Sequence, residues 1–216
     1  MDFMALVDGP SAGIVFGGTA AATLLRCGFG DVGAALSRVA RLPERGFDAD
    51  RARANLAAQV QAIQRDGLVR AQPAHFGDAE FDEATDALIA TRSVAAVLER
   101  HESHRARRLT QSERAVQTLA QAAELAPVFG LAGTLISLSQ LPPSGVAATG
   151  LTAAISMAVL TTLYGLLAAN LVLAPLARMV ERAARAEEVG RQAVIDWLTE
   201  QLAQHSPATP TVRRVA

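Results

Sequence analysis

The chain of 216 residues carries 20 Lys+Arg against 21 Asp+Glu, a formal net charge of −1, and every basic residue is Arg; that balance excludes the basic excess of a nucleic-acid binder. Hydrophobic residues make up 50% and charged ones 19%, with mean hydropathy +0.23, too apolar for a disordered chain, while 4% aromatics is thin for a β-sandwich or barrel. The single cysteine, Cys27, excludes an internal disulfide framework and a Cys-based zinc cluster.

The first apolar stretch is Gly9–Leu25, uncharged and rich in Gly, Ala and Thr. It contains Gly13 and Gly17 at the small-xxx-small spacing that lets membrane helices pack closely. A signal peptide is not expected, because Asp2 and Asp8 stand where a positive leader belongs. Residues 1–28 therefore read as an N-terminal transmembrane segment.

Residues 29–124 read as a helical cytoplasmic lobe. Amphipathic helices are expected over Ala54–Arg65, Asp82–Thr91 and Thr91–Leu119, with apolar spacing at Val94, Val97 and Leu98. Breakers fall at Pro43, Gly46, Gly67, Pro73 and Gly77. The mixed charges suggest solvated faces.

From Leu125 to Ala177 there are 53 consecutive residues without Asp, Glu, Lys, Arg or His. The cluster Gln140-Leu-Pro-Pro-Ser-Gly145 breaks the run with a turn. Leu125–Leu141 and Leu151–Leu176 flank it, and a bilayer core takes about 20 apolar residues as helix, about 17 at the lower limit. Residues 125–177 thus read as a transmembrane hairpin, against the alternative of a buried hairpin in a soluble bundle, which would show a polar face. Residues 178–216 read as a C-terminal helix, with Val194, Ile195, Leu198 and Leu202 near one face and Trp197 beside it, then a disordered tail from His205.

Arginines assign the topology. Arg26, Arg38, Arg41 and Arg45 follow the first span, and Arg178, Arg182 and Arg185 follow the last. The positive-inside rule puts 26–124 and 178–216 in the cytoplasm and the Pro-Pro-Ser-Gly turn on the opposite side.

No catalytic constellation emerges. His101 and His104 lie i,i+3 beside Glu102, but no third ligand follows at a fixed spacing, and a solvated helix face is the expected setting. Gly17-Gly18-Thr19 lacks the Lys of a phosphate loop. The expectation is a non-enzyme with no metal and no cofactor.

The hairpin carries the informative pattern. Its first half reads Pro127-x-x-Gly130-x-x-Gly133-Thr134; its second reads Met157-Ala-Val-Leu-Thr161-Thr162-Leu-Tyr164-Gly165-Leu-Leu-Ala-Ala-Asn170, then Ala174-Pro175. Together with the N-terminal Asp8-Gly-Pro-Ser…Gly17-Gly-Thr19, this resembles the MotA/TolQ/ExbB proton-channel family, nearest its flagellar-stator branch. The resemblance implies an all-α integral membrane protein of the bacterial inner membrane. It implies a homo-oligomeric ring, a pentamer, around a MotB-like single-span partner that carries the proton-binding Asp, with the flagellar rotor as a further partner. It implies that Thr134 and Thr162 line the proton pathway, that Pro127 and Pro175 couple proton passage to movement of the lobe, and that Gly130, Gly133 and Gly165, with Gly13 and Gly17, pack helices. Both long spans lack any ionisable acid or base, so a proton-carrying acid has to come from another chain.

The sequence departs from the stator pattern twice. The first of four stator spans is absent, which a misplaced start or a shortened member explains, leaving three. Arg65-Asp66-Gly67 is followed by Leu68-Val69-Arg70-Ala71, without the acid stator lobes carry there. The alternatives to a stator subunit are a TolQ/ExbB-type energy-transducing subunit for envelope transport, and a non-conducting membrane scaffold.

Overall fold

The computed structural model describes residues 8–44, 46–66, 77–91, 93–140 and 148–203. All regular structure among them is helical. We number the helices α1 (Gly9–Arg41), α2 (Ala49–Asp66), α3 (Ala79–Thr91), α4 (Val94–Ser139), α5 (Ala148–Leu167) and α6 (Ala174–Ala203), with one π-helical turn, Gly13–Gly17, inside α1 and another, Ala168–Leu173, joining α5 to α6. Residues 141–145 of the expected 140–145 turn, the breakers Gly67 and Pro73, the 68–71 stretch and the tail from 205 lie outside the described residues.

Among the described residues, three helical stretches are long and apolar enough to cross a membrane: Gly9–Arg41, Val94–Ser139 and Gly150–Leu202. The last two are much longer than their apolar parts. Sequence patterning separates the helix Thr91–Leu119 from the span beginning at Leu125, and the span ending at Leu176 from the helix beginning at Val180. The structure is helical through both junctions. Helix α4 runs for 46 residues. The change from charged to apolar sequence alters what surrounds a helix, not its backbone hydrogen bonds, and the single prolines near the junctions, Pro127 and Pro175, do not end either helix.

Two local features shape the spans. Gly28 has φ 83° and ψ 163° inside α1, a kink between two helical stretches; only a residue without Cβ enters that region cheaply. The π turn Ala168–Leu173 ends two residues before Pro175. Proline has no N–H to return to the carbonyl four residues back, and its ring crowds that carbonyl. A wider turn just upstream absorbs this strain.

The chain divides into two compact units. The span unit is Met1–Glu44 with Thr110–Ala184, and the lobe unit is Arg45–Leu109 with Arg185–Ala216. These are packing units, cut differently from the stretches 1–28, 29–124, 125–177 and 178–216, which follow bilayer and water. The span unit holds a small-residue cluster of Ala126, Ala168 and Ala169, and a second of Ala35, Ala115, Leu119, Ala177 and Val180. The lobe unit has a larger core, in which Leu56, Phe81, Leu88 and Val97 meet Val194, Ile195, Leu198 and Leu202 of α6. All four apolar residues on the face of the C-terminal helix are buried there. Fully burying one such side chain contributes about 1.5–3 kcal/mol.

Candidate functional site

The hairpin of α4 and α5 is built on backbone contact. A Cβ at Gly130 would stand 2.9 Å from Thr161 O, and one at Gly165 would stand 2.6 Å from Ala126 O and 3.1 Å from the Cα atoms of Gly130 and Pro127. At Gly133 it would meet Thr161 Cγ2 at 2.7 Å. Pro127, Gly130 and Gly165 thus form one contact where two backbones touch. Thr161, fully buried, fills the notch at Gly133. Without a hydrophobic drive inside lipid, such close approach is what associates helices.

Gly13 and Gly17 differ from this set. Nothing within the chain lies within 4 Å of a Cβ placed on either. The neighbouring Gly18 makes the close approach instead, against the ring of Phe129. The N-terminus of α1 is held by Asp8, whose carboxylate accepts from the Ser11 N–H at 3.0 Å and from the Ser11 hydroxyl, while the Asp8 N–H donates to Tyr164 Oη at 3.1 Å. Phe16 stacks on the Tyr164 ring with centroids 6.3 Å apart.

Beside that contact, where Thr162 Cα would stand 3.3 Å from a Cβ on Gly130, lies an open groove of about 490 Å³. Thr134 and Leu138 of α4 line it with Ile155, Ala158, Val159, Thr162, Leu163 and Leu166 of α5. Thr134 and Thr162, 28 positions apart in sequence, therefore stand on one surface at one level. They are the polar residues of that lining. Each hydroxyl donates to its own helix, Thr134 to Leu131 O at 2.6 Å and Thr162 to Ala158 O at 3.0 Å. A hydroxyl that has donated keeps lone pairs to accept from water or from a protonated acid. Leu135, Leu138, Ile155, Val159, Leu163 and Leu166 are exposed around them. Pro175 stands apart, half-buried at the start of α6.

The lobe unit corrects one sequence expectation. His101 is not on a solvated face; it is 1% exposed. Its Nδ1 lies 2.8 Å from Glu80 Oε1 and its Nε2 3.1 Å from Gln192 Oε1. Glu80 also receives Arg108 and, at 3.0 Å, Arg191. Arg191 reaches Asp78 and Glu187, each at 3.0 Å, and lies 4.5 Å above the Phe47 ring. Charge patterning alone does not reveal this, because i,i+3 and i,i+4 spacings suit solvated pairs equally well. His104, one turn on, pairs with Glu83 at 2.8 Å near the surface and holds that carboxyl below its ordinary value.

An all-α protein with three membrane-length helices, and a glycine-packed hairpin presenting two threonines on an apolar groove, is the class that fold and site define. A profile of the MotA/TolQ/ExbB proton channel family matches residues 70–193, and the chain belongs to that family. The uncharacterized protein YtxD of Bacillus subtilis (strain 168) is 31% identical over 118 residues, 55% of this chain. That match spans 39% of the relative's length. The fold is shared with the flagellar MotAB stator complex from Bacillus subtilis, at TM-score 0.82 and 19% identity over 94% of this chain and 81% of that one. It is shared equally with C. jejuni MotAB, at TM-score 0.83 and 17% identity, with the same coverage of both chains.

Proposed function

We propose that this chain is the ring-forming subunit of a stator-type proton channel in the bacterial inner membrane. It acts with a MotB-like single-span partner that carries the proton-binding Asp, and the pair couples proton flux to flagellar rotation. The observation that carries this reading is the groove, where Thr134 and Thr162 stand together on an apolar wall. An unpaired carboxylate in lipid is costly, so an acid that gives and takes protons there needs polar neighbours that remain neutral. Two hydroxyls meet that need. They offer acceptors to a protonated acid and, through water, donors to an ionised one.

The remaining assignments follow. Five copies enclose a partner dimer with their Thr134–Thr162 grooves turned inward. Pro127, at the hairpin contact, and Pro175, beside the π turn, are the points where the helices yield as protons pass. Residues 26–124 and 178–216 face the cytoplasm, in keeping with the arginines. Co-reconstitution in vesicles with a single-span partner bearing a membrane Asp tests the reading. A proton flux that disappears with Asp→Asn in the partner is expected; no flux above that of empty vesicles overturns it.

A further inference from the structure

His101 lies in the lobe unit, and its hydrogen bonds dictate its charge. Nδ1 faces Glu80 Oε1 of α3 at 2.8 Å, and a carboxylate oxygen only accepts, so Nδ1 carries a hydrogen. Nε2 faces Gln192 Oε1 of α6 at 3.1 Å. The orientation of that amide is set from its other end, where Gln192 Nε2 donates to Asp196 Oδ1 at 2.9 Å. Turning the amide over would put its oxygen against the Asp196 carboxylate. Gln192 therefore offers His101 an acceptor, and Nε2 must carry a hydrogen too. A ring with both nitrogens protonated is the imidazolium cation.

Charged groups from every neighbouring helix crowd around the ring. Asp78 just before α3 and Glu80 within it, with Glu187 and Glu188 of α6, supply four carboxylates. Arg105 and Arg108 of α4 and Arg191 of α6 supply three guanidinium groups, with Arg105 at 3.3 Å and Arg108 at 2.9 Å from Glu188. From α2, Arg53 is turned to Asp50 and the Ala193 carbonyl. Glu102, on α4 beside His101, is turned to Arg105 at 3.2 Å.

We propose that His101 is a proton-binding site that latches α3 to α4 and α6, closed while the ring is protonated and loosened when the surrounding solution turns alkaline. The hydrogen bond to Glu80 raises His101 above the ordinary imidazole value of 6.5, although burial opposes it. The stabilisation is thus complete below 6.5 and is lost as pH rises through the raised value. The latch stands on the lobe geometry alone and does not depend on the channel reading.

Hydrogen–deuterium exchange of α3 peptides, in the full chain in lipid nanodiscs and corrected for intrinsic exchange rates, tests this across roughly pH 6 to 9. Wild-type opening should rise about tenfold or more over that range, as loss of one charged hydrogen bond predicts. His101→Gln should be open to the same degree at every pH. His104→Gln, which removes only the surface pair, should keep the wild-type profile. Gln192→Leu, which removes the Nε2 acceptor, should move the transition to lower pH. Wild-type protection that is level across the range, or a His101→Gln profile that matches wild type, overturns the latch. Should His101→Gln fail to fold, ring 15N shifts of the wild type decide. Two N–H groups on His101 at its ordinary midpoint support the proposal, and a neutral ring there refutes it.

Discussion

At the scale of single residues, Thr134 and Thr162 separate channel from scaffold. Both hydroxyls donate to their own helices, and that bond alone does little for stability, since membrane hydrogen bonds average about 0.6 kcal/mol. Valine keeps the shape and removes the acceptor. The Thr134→Val/Thr162→Val double variant should assemble normally by native mass spectrometry and lose its proton flux in vesicles. Normal flux in that variant would assign both residues to packing. Glu80 makes the opposite case, because its role is structural. It is 5% exposed and holds His101, Arg108 and Arg191 together. Glu80→Ala removes the carboxylate these three groups share, leaving Arg108 on Glu188 and Arg191 on Asp78 and Glu187, and breaking such a buried ionic network costs about 3–5 kcal/mol. Trypsin should then cut the lobe arginines at least tenfold faster than in the wild type, while the spans stay protected in detergent.

At the scale of elements, the glycines of the hairpin differ in what they face, and their substitutions should differ likewise. Gly165→Ala sets a methyl 2.6 Å from a backbone oxygen that cannot rotate away. Overpacking of this kind costs about 1–3 kcal/mol, and α4 and α5 must part to relieve it. Gly13→Ala meets open space and gains up to about 1 kcal/mol in helix propensity. Thermal unfolding in detergent should rank Gly165→Ala below wild type, with Gly13→Ala level or above. Equal melting of the two would remove the backbone contact from the account of hairpin stability. Spacing in sequence equates these glycines; only the neighbour each one meets tells them apart. The same limit explains Gly18. Its place against Phe129 depends on a helix more than 100 positions away.

At the scale of the whole molecule, the spans present much unsatisfied apolar surface. Leu25 is 90% exposed and Leu135 and Leu171 are each 69% exposed. In the proposed ring, lipid covers part of such a surface, neighbouring copies cover part, and the partner's span lies against the groove with Thr134 and Thr162. Co-expression with the single-span partner should yield a five-to-two complex by native mass spectrometry in mild detergent. A stable single copy beside free partner would count against the ring. The orientation is tested separately, by a cysteine introduced in 142–146 and labelled with an impermeant reagent. Labelling from the periplasmic side is expected, and labelling only from the cytoplasm would reverse the topology.

Composition, the uncharged run of residues 125–177 and the prolines and glycines within it are enough to determine an all-α membrane protein and its family. These features answer to the solvent, and the contrast between bilayer and water is written residue by residue. The face of α6 in the lobe core is legible for the same reason, because burial of Val194, Ile195, Leu198 and Leu202 follows helical period. Tertiary structure alone decided the rest. It ran α4 and α6 unbroken past the change from charged to apolar sequence, since backbone hydrogen bonds do not register that change. It set Thr134 and Thr162 on one groove, which depends on the relative rotation of two helices. It took His101 from an apparently solvated face into a buried ionic cluster. Helical spacing says which residues share a face. What that face meets is settled by segments distant in the chain, and for His101 by the carboxylate of Glu80 and the amide of Gln192.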